Sequence, residues 1–195
     1  MRIILGSQSP RRKEILGYFS LNFEQIPSQF DEESVQFRGD PLAYARELSL
    51  KKNQELSSRF PEDLIITADT VVYFNGKIYN KPKDLEEARS MLKELAGNWH
   101  HVYTGVSVKK DSVHLSEVDE SRILMHPITE EQITLYHSHC SPLDKAAGYA
   151  IQRSGSILID RIEGCYYNTM GFPVNALRKL LLPFGIDLWK YLKPF

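Results

Sequence analysis

Apolar and polar residues follow two rhythms along this chain, and the switches between them predict which segments are strands and which are helices. Residues 2–5 end in an unbroken aliphatic run, Ile3-Ile4-Leu5, followed by Gly6-Ser7-Gln8-Ser9. That order predicts a short buried strand turning into a helix at Pro10. Ser9 suits the helix cap because its hydroxyl can accept from an amide of the first turn, and Pro10 lacks an N–H that would be unpaired there anyway. A second strand is expected over 22–26, then an acidic loop around Asp31, Glu32 and Glu33, then a helix opened by Pro41 and running to about Ser57. Apolar residues at 64–68 and 71–74 predict strand on both sides of Asp69-Thr70, and Asn75-Gly76 predicts a hairpin turn. Asp84 with Glu87 three positions later is a capping-box pattern for a helix to about Leu95. Two long strands follow, 102–109 and 113–125, then a helix over 129–137, a strand over 157–162 and a helix over 173–182.

Strands alternate with helices, yet neighbouring strands also form hairpins. The fold class this implies is α/β, a mixed β-sheet with covering helices. No repeat, low-complexity tract or linker divides the sequence, so all 195 residues are read as a single domain, 1–195. The 24 basic and 25 acidic side chains leave a formal net charge of −1. That balance excludes a dominant basic face, so long nucleic acid, whose tight binding requires many phosphates to be neutralised, is not an expected partner. A small phosphorylated ligand stays open. Two cysteines, Cys140 and Cys165, can build neither a disulfide framework nor a zinc knuckle and are read as reduced thiols. The first residues are too short of apolar side chains for a secretory signal, and no run approaches the ~18 needed to span a bilayer. A cytoplasmic protein without a membrane partner is expected.

Several residues break the pattern in ways that suggest chemistry. Arg11 and Arg12 sit at the positive end of a helix, where cations are disfavoured unless an anion lies between them. Free amides of the Ser7 turn and two guanidinium forks would suit phosphate oxygens, although a solvated basic turn explains the same residues. Asp69 interrupts an apolar strand, and an unpaired buried carboxylate costs several kcal/mol, so a cation, a metal or water is expected beside it. An aspartate bonding a neighbouring turn is the plainer reading. Lys52 shares the inward stripe of its helix with Leu42, Ala45, Leu48, Ser49 and Leu56, whereas Lys51 points away. Either a buried anion awaits it or its stem snorkels to water. Asp31 and Glu32 could offer oxygen ligands to a hard divalent cation, or merely form a solvated loop. Lys81 precedes Pro82, a pair that by itself marks a turn. The segment 144–152, with Lys145, Ala146, Ala147 and Gly148, combines small residues with Gln152, whose amide can both donate and accept. Helix packing would explain the small residues equally well.

In this order and spacing, Ser7-Gln8-Ser9-Pro10-Arg11-Arg12, Ala68-Asp69-Thr70, Lys81-Pro82, Gly97 with His100, Thr104-Gly105, Asp144-Lys145-Ala146, Ile151-Gln152, Gly164 and Gly171-Phe172-Pro173 resemble the Maf family of nucleotide pyrophosphatases, also described as septum-formation inhibitors. The resemblance runs nearly the whole length. It implies a fold like that of inosine triphosphate pyrophosphatases, an elongated mixed sheet with two lobes around a cleft. It also implies hydrolysis of nucleoside triphosphates to monophosphate and pyrophosphate with a divalent metal cation, Mg²⁺ or Mn²⁺. By the same resemblance Asp69 is the catalytic base or a metal ligand, Glu32 helps hold the metal, and Ser7, Arg11, Arg12, Lys52, Thr70, Lys81 and Gln152 bind substrate. Arg11, Thr70 and Gln152 are similar to the set of the branch acting on dTTP and UTP. The chain departs from the family pattern where Ala147 and Ala150 replace glycines and Arg153 replaces the glycine after Gln152. A non-catalytic, nucleotide- or nucleic-acid-binding regulator of cell division is the alternative, a phosphatase of the terminal phosphate is a further one, and a homodimer is left open.

Overall fold

The computed structural model describes residues 1–194. Among these, seven strands form one mixed sheet. They are β1 (Ile3–Gly6), β2 (Glu24–Gln25), β3 (Leu64–Phe74), β4 (Lys77–Tyr79), β5 (Trp99–Lys110), β6 (Val113–Met125) and β7 (Ile159–Gly164). The helices are α1 (Pro10–Leu16), α2 (Pro41–Arg59), α3 (Leu85–Leu95), α4 (Glu130–His139), α5 (Tyr166–Thr169) and α6 (Val174–Leu181). The α/β class and the mixed sheet expected from the pattern are therefore present. The second strand is shorter than 22–26, because only Glu24 and Gln25 lie alongside Ile4 and Leu5. The seventh runs from 159, since residues 153–158 curl into a 3-10 turn first. Asp84 caps α3 as expected, accepting from the Glu87 amide at 2.8 Å, but Glu87 returns its bond to Lys83 N, not to Asp84. The α5 turn carries no apolar periodicity long enough to announce it.

The strand order is β2-β1-β3-β5-β6-β7, with β4 also pairing β3. β5 runs antiparallel along one edge of β3 from Ile65 to Tyr73. The other edge is shared. β1 pairs in parallel with Leu64 to Thr67, and β4 pairs antiparallel with Val72 to Phe74. Ala68, Asp69, Thr70 and Val71 consequently face a gap between the two partners. Side chains alternate across a sheet, so the odd positions Ile65, Thr67, Asp69 and Val71 point to one face and Ala68, Thr70 and Val72 to the other. α2 covers the first face, packing Leu56 on Ile4 and Ile65, and Ala45 and Leu48 against Val71 and Tyr103. The larger core on the second face gathers α1, α3, α4 and α6 around Leu5, Ile66, Val106 and Phe172.

Two features hold this frame in register near the gap. Gly105 pairs with Asp69 across β3 and β5, and a Cβ built there would stand 2.7 Å from the Ala45 carbonyl carbon of α2. Its missing side chain is what lets the helix lie so close to the sheet. The segment 145–152 is fastened by Ala147 N donating to Asn80 O at 3.0 Å, Ala150 N donating to the Tyr136 hydroxyl at 3.1 Å, and a 2.5 Å bond between Tyr149 OH and His100 Nε2. His100 is wholly buried on β5, and burial pushes its pKa down to about 4.

Gly105→Ala should destabilise the protein by about 1–3 kcal/mol through overpacking, read as a lower urea midpoint at unchanged slope. An unchanged midpoint would mean that α2 has room to withdraw. Because folded His100 stays neutral while the unfolded chain takes up a proton below about pH 6.5, its contribution is complete above that pH and lost as pH falls toward 4. From pH 7.5 to 5, His100 alone should account for about 2 kcal/mol of lost stability. His100→Gln should remove that part of the pH dependence in urea unfolding, and equal pH slopes in the two proteins would contradict it.

Candidate active site

The gap on β3 opens into a cleft of about 710 Å³, and Ser7, Arg11, Arg12, Glu32, Lys52, Asp69, Thr70, Lys81 and Gln152 all line it. Residues spread over the whole sequence meet there because β1 stops at Gly6, β4 begins beyond the gap, and α2 crosses the face on which Asp69 points. Inside the cleft Lys52 Nζ donates to Asp69 Oδ1 and lies 2.7 Å from Glu32 Oε1. Lys52 and Asp69 are 8% and 6% exposed, so this is a buried pair with a third, half-exposed partner. The lysine thus meets an anion and does not snorkel, and the aspartate has the cation that its burial demands. Burial opposes ionisation of Glu32, but Lys52, Lys81 and Arg12 outweigh it and hold the carboxyl below its ordinary range. Asp31, by contrast, spends Oδ1 on the Glu33 amide at 3.1 Å.

The turn after β1 is built largely from its own side chains. Ser7 Oγ accepts from Ser9 N at 3.1 Å, and Ser9 Oγ accepts from Arg12 N at 3.4 Å, as a cap should. Two amides that could meet an anion are thereby occupied. Gln25 Nε2 donates to Ser7 O at 2.9 Å and Ser9 O at 3.3 Å, which ties the turn to β2.

The two arginines have different surroundings. Arg12 Nε donates to Gly171 O at 2.8 Å, NH1 to Ala68 O at 2.6 Å and Ser7 Oγ at 3.3 Å, and NH2 to Thr70 Oγ1 at 3.0 Å. Of the five guanidinium donors one is left. Burial works to lower its pKa, and Asp69 resists. Arg12 is therefore chiefly a clamp across the gap. Among the described residues Arg11 and Lys81 have no side-chain hydrogen bond or ion pair, which leaves their charges available to a ligand.

Thr70 Oγ1 also lies 3.0 Å from Thr104 Oγ1, its register partner on β5, and Thr104 Oγ1 donates to Asn168 O at 3.1 Å. Asn168 is buried and donates Nδ2 to Val102 O at 3.0 Å and Ser121 Oγ at 2.9 Å. Gln152 buries its amide oxygen without a partner among the described residues. Ala147 and Arg153 have φ of 56° and 54°, the left-handed region that glycine enters freely. That explains why glycine suits two of the three departures noted in the sequence. Arg153 is exposed and lies outside the cleft wall, so its charge does not crowd the site as its neighbour Gln152 suggests.

Sequence reasoning did not reach Gln25, Thr104 as a partner of Thr70, or Asn168. For Thr104 the signal exists in the register of two neighbouring strands, which opposes one threonine to another. For Gln25 and Asn168 no local pattern exists. Among the described residues no group of three or more His, Cys, Asp or Glu is gathered as a ready metal site, and no helix is long and apolar enough to cross a membrane.

The chain is similar to curated proteins along nearly its whole length. The dTTP/UTP pyrophosphatase of Chlamydia felis is 42% identical over 192 residues, 98% of each chain. That of Clostridium perfringens is 42% identical over 191 residues, 96% of this chain and all of its own. Among solved structures, the Staphylococcus aureus Ham1 protein overlaps 67% of this chain and 73% of its own at 14% identity and a TM-score of 0.44, a likeness too slight to add to the fold described above. A family model described as Maf-like protein matches residues 2–184, and the chain belongs to that family.

Proposed function

We propose that this protein hydrolyses nucleoside triphosphates, dTTP and UTP above all, to the monophosphate and pyrophosphate. The observation that carries the reading is the Asp69–Lys52–Glu32 arrangement inside a cleft where Arg11 and Lys81 remain unpaired. The names of relatives 42% identical over nearly the full length support the substrate class.

In this reading Arg11 and Lys81 bind the phosphates and stabilise the charge that develops on the departing group. Lys52 shields the ligand from the two carboxylates, whose repulsion would otherwise oppose a triphosphate. Asp69 takes the proton of the water that attacks the α–β linkage. Arg12, its donors mostly spent, holds Ser7, Thr70 and the Gly171 turn in place, and Gln152 and Thr70 face the base.

Mg²⁺ or Mn²⁺ fits the donor set. Two carboxylates converge on one point of positive charge, and Mg²⁺ characteristically takes one or two carboxylates together with substrate phosphates. Glu32 would hold it, with Asp69 as a second ligand where Asp69 positions the water in place of taking its proton, and it would supply charge neutralisation on the triphosphate. Every residue used comes from one chain, so the reading needs neither a second copy nor nucleic acid. A cytoplasmic setting accords with nucleotide substrates and with two free thiols.

The test is product identification after incubation with a panel of nucleoside triphosphates and Mg²⁺ or Mn²⁺. Pyrophosphate with dTMP or UMP is expected. Orthophosphate from the terminal position, or binding without turnover, would overturn the proposal. Asp69→Asn should lower kcat by about 10²–10⁴-fold. Wild-type pyrophosphate release from that variant would remove Asp69 from the role of base.

A further inference from the structure

Two hydroxyls stand in line beneath the cleft. Thr70 Oγ1 and Thr104 Oγ1 are 3.0 Å apart, and Thr104 Oγ1 is 3.1 Å from Asn168 O. A carbonyl oxygen only accepts, so the proton of the second contact must be that of Thr104. Thr104 then has none left for the first contact, which only the Thr70 proton can fill. Asn168 O also accepts from Gly171 N at 2.8 Å, but any other assignment leaves two oxygens facing each other at hydrogen-bond distance with no proton between them. Arg12 NH2, which can only donate, occupies one lone pair of Thr70 at 3.0 Å. Thr70, which lines the cleft, is thus left with a lone pair and no proton to offer. Thr70 therefore asks for a ligand that donates.

We propose that Thr104 is a specificity-positioning residue. By donating to Asn168 O it compels Thr70 to donate inward, so that Thr70 presents only an acceptor and selects bases carrying a ring N–H. Uracil and thymine have that N–H at ring position 3, whereas cytosine has a bare nitrogen whose lone pair would face the lone pair of Thr70. The proposal rests on the nucleotide-hydrolase reading of the cleft and adds the origin of its base preference. Thr104 is buried and touches Thr70, not the cleft, so it acts through Thr70.

The test measures kcat and KM for UTP, CTP and 3-methyl-UTP, with Mg²⁺, on the full chain. Thr104→Val frees the Thr70 proton to turn outward and donate to the cytosine ring nitrogen. The UTP-to-CTP ratio of kcat/KM should fall about tenfold, with CTP turnover rising. Thr104→Ser, which keeps the hydroxyl, should restore the ratio. A purely structural role would lower both substrates together, and that result, or an unchanged ratio, would overturn the proposal. Wild-type protein alone gives a second reading should Thr104→Val fold poorly. 3-Methyl-UTP, which lacks the ring N–H, should be at least about 100-fold poorer than UTP. Equal turnover of the two would overturn the acceptor assignment. Absence of any pyrophosphate from UTP with the wild-type protein is a different result, which refutes the hydrolase reading and with it the substrate basis of the proposal.

Discussion

The site depends on a vacancy in one edge of β3. A strand has two edges, and here one is filled throughout by β5 while the other is divided between β1 at its start and β4 at its end. Between them a short stretch of backbone has no strand beside it. Unpaired peptide groups in a sheet must find other partners, and Arg12 supplies one by donating to Ala68 O. The same vacancy brings residues from both faces of β3 into one cleft. Asp69 belongs by alternation to the face under α2, and Thr70 to the opposite face, yet both line the same space. In a continuously paired sheet they would be separated by the strands themselves.

Electrostatics divide along the same line. On the α2 side a buried lysine joins two carboxylates, and on the other a guanidinium is consumed by carbonyls and hydroxyls. The near-zero net charge of the chain therefore hides two unlike local arrangements. One balances charge against charge, Lys52 against Asp69 and Glu32. The other is a fixed set of hydrogen bonds whose loss would leave buried acceptors unsatisfied. Among the described residues Arg11 and Lys81 are the cleft cations with no hydrogen bond or ion pair to protein, two side chains from distant parts of the sequence.

Much of this is legible in the sequence. The Ser9 cap, the Pro10 start, the inward Lys52 and the strand through Asp69 follow from periodicity and cap chemistry, and the structure has each of them. The different roles of Arg11 and Arg12 are not, because adjacent residues on a helix differ by about 100° in direction and only packing tells which one turns into the protein. Thr104 escaped for a related reason. It lies in an ordinary β-branched strand, and its importance arises from being opposite Thr70 and beneath Asn168, a coincidence of register and a distant turn. Sequence patterns report which face a residue occupies; they do not report which way a hydroxyl proton points.

The Arg12–Gly171 bond joins residues 159 positions apart. Synthesis reaches Arg12 and Thr70 well before Gly171, so the clamp across the cleft wall must wait for the Asn168–Gly171 turn to emerge from the ribosome. A nascent chain that has made only β1, α2 and β3 has Arg11, Arg12, Glu32, Lys52 and Asp69 but lacks Lys81, the turn that fixes Arg12 and the carbonyl to which Thr104 donates. The clamp that fixes Arg12 and Thr70 is therefore completed only once the Asn168–Gly171 turn has been made.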